Sequence, residues 1–140
     1  MKIILSIVGE HLDPEQVSSA LGGQPRASGR KGETIQATAS GRRVSRTALA
    51  GFWQRGVAVQ PQTDPTSALQ AMLSDLSDNQ EVWDTLGRQF TTEIAISGAP
   101  RGVAPEHVFS KESLELLQRR GVRLWMNGPR SAASPAMLRA

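Results

Sequence analysis

The chain has 140 residues, of which 39% are hydrophobic and 21% charged. Those proportions suit one globular domain that fills its core without covalent staples. It has no cysteine, which excludes disulfides and thiolate metal sites. No apolar run approaches the ~18 residues that a membrane helix requires. Met1-Lys2 leads straight into a strand-length apolar run, too short for the core of a secretory signal. The resulting expectation is a soluble, cytoplasmic protein without membrane association. A folded unit is expected over residues 1–127, with a flexible tail over 128–140 that carries Gly128, Pro129 and Pro135.

Ile3 to Val8 is apolar except for Ser6, the pattern of a strand covered on at least one face. Asp13 then supplies an N-cap, Pro14 a first helical residue and Gln16 the partner of a capping box, while Gly22 supplies the stop. Val17, Ala20 and Leu21 share one face of that short helix. RASGRKG, residues 26–32, reads as a loop. Thr34–Ala39 and Val44–Leu49 read as two antiparallel strands joined at Ser40-Gly41. Val57–Val59 extends the sheet or crosses its end. Asp64-Pro65 repeats the helix start, and Leu69, Met72, Leu73 and Leu76 follow at helical spacing. A further helix is expected over Glu81–Phe90, with Val82, Trp83, Leu86 and Phe90 on one face. Thr91–Ser97 alternates as a half-buried strand. Ser110 caps a helix over Lys111–Arg120, Gly121 stops it, and Val122–Met126 is the last strand. The two ends of the chain thus echo one another as strand, loop, capped helix and glycine. This order predicts an α+β fold, a mainly antiparallel sheet with helices on one face and a weak two-half pseudo-repeat.

The net charge of +3 is unevenly spread. Residues 26–55 carry seven basic side chains (Arg26, Arg30, Lys31, Arg42, Arg43, Arg46 and Arg55) against the single acid Glu33. Residues 64–93 carry six acids against the single base Arg88. The first stretch is the sharpest functional signal, because cations gathered around a loop and a hairpin can meet an acidic protein surface or phosphates. The candidate binding residues are therefore Arg26, Arg30, Lys31, Arg42, Arg43 and Arg46. Trp53, Trp83 and Trp125 each adjoin an apolar pattern and read first as core or core-edge residues, with Trp53 added to the candidates as an aromatic beside Arg55 that a ligand could stack upon.

Catalytic patterns are missing. There is no G-x-S-x-G elbow and no P-loop. Asp13 serves as a helix cap, and Asp75, Asp78, Glu81 and Asp84 are spaced as a solvated face. No catalytic residue, metal ligand or cofactor is assigned, and the residues argue against an enzyme. A weaker alternative has His11 and His107, the only two histidines, meeting across the sheet end with Glu10 or Glu106 to hold iron or zinc.

The segments LDPEQVSSALGGQP, GRKGE, AGFW ahead of the Asp-Pro helix, and FSKESLELLQRRGVRL together resemble the bacterial domain of unknown function 4279. The resemblance runs from Met1 to Asn127. It departs at the last strand, where Trp125-Met126-Asn127 stands in place of the more usual acidic-plus-Tyr ending. It implies the α+β fold and assigns no activity. The reading of the residues is thus a small binding protein, an accessory or immunity-like module with a protein partner. Nucleic acid held through Arg26–Arg46 is the alternative, and an exposed edge strand would offer a second copy a place to pair.

Overall fold

The computed structural model describes residues 1–39, 41–127 and 138–139. Strand β1, Lys2–Gly9, lies at the centre of a five-stranded sheet. It pairs antiparallel with β5 (Gly51–Ala58) on one side and with β6 (Thr91–Ser97) on the other. Beyond β5 lies β2 (Ala27–Gly29), and beyond β6 lies β7 (Arg123–Met126), the one parallel neighbour. The apolar run at the start of the chain takes this central place because Ile3, Leu5 and Ile7 become fully buried. Each contributes roughly 1.5–3 kcal/mol by leaving water.

Those three side chains share their face with Trp53, Ile94 and Ile96, and four helices cover it. They are α1 (Pro14–Leu21), α2 (Pro65–Ser74), α3 (Gln80–Gln89) and α4 (Lys111–Arg119). α1, α2 and α4 begin at the caps their sequence predicts, and α3 begins at Asn79, a cap the sequence reading does not name. Asp13, Asp64, Asn79 and Ser110 accept a hydrogen bond from a backbone N–H in the first turn, satisfying donors that a helix end leaves open. Gly22 closes α1 at φ +77° and Gly121 follows α4 at φ +69°, both in the left-handed region where glycine carries no steric penalty. The fold is α+β and mostly antiparallel, with its helices on one face.

Three elements differ from the sequence expectation, the first being β2, a short strand within residues 26–32 that read as a loop. The segment Gly51–Ala58 forms one unbroken strand beside β1, although Gln54, Arg55 and Gly56 interrupt its apolar pattern. Arg55 is accommodated because its guanidinium donates to the Gln24 carbonyl at 2.8 Å and pairs with Asp75. The expected hairpin forms, but outside the main sheet. Strands β3 (Thr34–Ala39) and β4 (Arg42–Ala48) build a second sheet with β8 (Leu138–Arg139) in the order β3-β4-β8. The remainder of the expected tail, residues 128–137 and 140, lies outside the described residues. The hairpin attaches through Ile35 and Ala48, which pack with Val8 and Phe52 on the sheet face away from the helices. Gly29 permits this approach, since a Cβ there would lie 2.8 Å from Ile35 Cδ1 and 3.1 Å from Phe52 Cε1. No helix among the described residues is long and apolar enough to cross a membrane.

Candidate functional site

The seven residues singled out by the sequence fall into four places. Trp53 is fully buried in the main core, where its Nε1–H donates to Ser18 Oγ at 3.0 Å and Arg55 stacks 5.8 Å from its ring centre. It therefore ties α1 to β5 and presents no surface to a ligand.

Arg30 and Lys31 reach back to the turn between β1 and α1. Arg30 Nη2 donates to Asp13 Oδ1 at 2.8 Å, and Lys31 Nζ pairs with Glu10. The Arg30 backbone N–H also donates to Glu33 Oε2 at 2.6 Å. The hydrogen bond from Arg30 holds the Asp13 carboxyl below its ordinary range, and that from Lys31 does the same for Glu10. These two cations latch the β2–β3 loop onto the entrance of α1. The sequence pattern gave Asp13 a capping role and Glu10 only a place in the alternative metal site. Their latching partners lie 17 and 21 residues away, a separation that local patterns do not reveal. The Gln16 side chain, expected to close a capping box, makes none of the described hydrogen bonds.

Arg26 stands at the start of β2, where its backbone N–H donates to the Gln54 carbonyl at 2.8 Å. With Lys2, Ile4 and Gln54 it borders a shallow cavity of about 220 Å³.

Arg42, Arg43 and Arg46 come together on β4. Arg42 and Arg43 are exposed and Arg46 half-buried. The pairing of Ile35 with Arg46 and of Thr38 with Arg43 gives the register. It places Arg42 and Arg46 on one face of the hairpin and Arg43 on the other. None of the described ion pairs uses any of the three, and residues 34–48 contain no acid. Beside them, β3 ends the small sheet, with one edge unpaired among the described residues. That edge, TIQATA, carries neither charge nor proline, two devices by which edge strands resist accidental pairing.

His11 and His107 do not meet. His11 follows the end of β1 near Gly9, whereas His107 follows the end of β6, and Ser97 pairs with Lys2 at the opposite end of β1. An eight-residue strand separates the two turns, about 23 Å at ~3.3 Å per residue. The shared metal site considered from the sequence therefore loses its geometry. Among the described residues no group of three or more His, Asp or Glu side chains is placed to hold a metal ion.

What the arrangement offers chemically is a cationic hairpin with no ion-pair partner among the described residues, beside a strand edge left open among them. Comparison with curated proteins finds no match, and comparison with solved structures finds none either. A family model described as "Domain of unknown function (DUF4279)" matches residues 1–127. The fold whose core and caps have just been described, from β1 through β7, thus falls wholly inside that match, and the chain belongs to the DUF4279 family.

Proposed function

We propose that this protein is a binding module that takes an extended, acidic segment of a protein partner along β3. Arg42, Arg43 and Arg46 on the neighbouring strand supply the charge recognition. One observation carries the reading: among the described residues, three arginines without an ion-pair partner stand beside an uncharged strand edge left open. An added strand satisfies the unpaired N–H and C=O groups of such an edge, and flanking cations select an acidic sequence. A second copy suits this edge less well than an acidic segment, because residues 34–48 of neither copy offer an acid to meet the arginines of the other.

Nucleic acid is the weaker fit. Single-strand binders add exposed aromatic platforms to their cations, but Phe52 and Trp53, the aromatics nearest the hairpin in sequence, are 4% and 0% exposed. An accessory or immunity-like role is compatible with the same surface.

Fluorescence anisotropy tests the reading with an alternating Glu-Thr decapeptide and random-sequence single-stranded and duplex oligonucleotides at low salt. The peptide is expected to bind more tightly than either oligonucleotide. The triple variant Arg42→Ser, Arg43→Ser, Arg46→Ser is expected to weaken peptide binding about tenfold or more, with thermal stability little changed because the three side chains make no described ion pair. Equal peptide binding by the triple variant would overturn the proposal. Tighter oligonucleotide binding would replace it with the phosphate reading.

A further inference from the structure

Arg120 follows the last residue of α4 and is only 8% exposed. Its guanidinium lies over the fully buried Trp83 ring, 4.9 Å from the ring centre. Among the described residues its Nη1 is buried without a hydrogen-bond partner, and no ion pair includes it. Burial lowers its pKa, an effect that the nearby charge of Asp78 opposes, yet a guanidinium remains protonated in proteins. A buried cation with unmet donors is costly, and native proteins seldom keep one without an acceptor.

Arg120 also lines a cavity of about 170 Å³ between α2 and α4. Leu69, Leu73, Leu76 and Leu116 form its apolar wall. Ser113 is buried there, and its Oγ accepts from Ser110 Oγ at 3.0 Å, which leaves the Ser113 hydroxyl hydrogen to donate elsewhere. The exposed Asp78 stands at the rim. The cavity thus joins a guanidinium whose Nη1 lacks a hydrogen-bond partner among the described residues, and a spare hydroxyl donor, to a leucine wall.

We propose that this cavity binds a short aliphatic monocarboxylate, with the carboxylate on Arg120 and Ser113 and the hydrocarbon against the leucines. A guanidinium fork matches a carboxylate in geometry and charge. The volume fixes the size, since a cavity of about 150 Å³ holds benzene, with its six carbons. Butyrate has the same number of non-hydrogen atoms. Inorganic phosphate or chloride would leave the leucine wall uncovered. This site is separate from the hairpin, so its test and that of the proposed function can fail independently.

Sodium butyrate is titrated into the intact protein at fixed ionic strength, with butyramide and sodium chloride as controls, while NMR follows the Arg120 Nε–H and the Ser113 amide. Butyrate is expected to shift both resonances saturably, with a dissociation constant of about 1 mM or tighter, and to raise the melting temperature by mass action. Arg120→Met, which keeps an apolar stem over Trp83, is expected to weaken binding about tenfold or more. Asp78→Asn, which removes a rim charge of the ligand's own sign, is expected to tighten it by up to about fivefold. A butyramide effect equal to that of butyrate, or no saturable shift in the unaltered protein, would overturn the proposal. So would weaker butyrate binding by Asp78→Asn.

Discussion

Asp13 carries two roles on one carboxylate. Its Oδ1 accepts from the Glu15 backbone N–H at 3.1 Å as a helix cap and from Arg30 Nη2 at 2.8 Å as an ion pair. Glu10 adds the second half of the latch through Lys31. Both carboxyls titrate below their ordinary values. The latch is therefore intact above about pH 4, where an unperturbed carboxylate ionises. It is released as pH falls from there through the lowered folded-state values. The protection of amides 30–33, taken relative to their intrinsic exchange rate at each pH, is expected to fall in that window. The double variant Glu10→Gln, Asp13→Asn is expected to lose the pH dependence while keeping α1, because Asn caps a helix as well as Asp does. An unchanged acid transition in that variant would show that other groups release the loop. Arg30 and Lys31 are thus engaged by acids of the fold, whereas Arg42, Arg43 and Arg46 make no ion pair among the described residues.

At the scale of elements, the start of β5 is held by a close approach. A Cβ on Gly51 would lie 2.6 Å from the Leu12 carbonyl oxygen and 3.0 Å from that of Gly9, both backbone atoms that cannot swing aside. Gly87 in α3 faces open space. Gly51→Ala is expected to destabilise by about 2 kcal/mol or more, and Gly87→Ala to stabilise by about 0.5–1 kcal/mol through helix propensity. Urea denaturation reads both, and a neutral Gly51→Ala would show that the β1–α1 turn yields. The helices were legible in the sequence because their signals are local: Asp-Pro before α1 and α2, Ser110 before α4, glycine after α1 and α4. β1 was legible from its continuous apolar run. β5 was not read whole, because Gln54-Arg55-Gly56 breaks the pattern and the groups that settle Arg55, Gln24 and Asp75, lie 31 and 20 residues away. β2 is three residues within a stretch that reads as loop, and only its pairing to Ser28↔Trp53 register defines it as strand.

Across the whole molecule, the candidate surface was legible as charge and illegible as geometry. The excess of cations in residues 26–55 identified the region. It could not separate Arg30 and Lys31, neutralised by acids near α1, from the arginines of β4. Nor could it move the hairpin out of the main sheet, whereas the core position of Trp53 was legible from the apolar pattern around it. Arg120 was hidden differently, since a basic residue at a helix end before glycine has an ordinary role at the C-terminal dipole, and only the position of Trp83 and α2 encloses it. Addition of an acidic strand to β3 is read out by hydrogen–deuterium exchange of the intact protein with and without the alternating Glu-Thr decapeptide. The account predicts slowed exchange at alternate amides of Thr34–Ala39, the N–H groups that face away from β4, with the effect lost at high salt and in the triple arginine variant. Binding that leaves every β3 amide unprotected while slowing exchange elsewhere would contradict it.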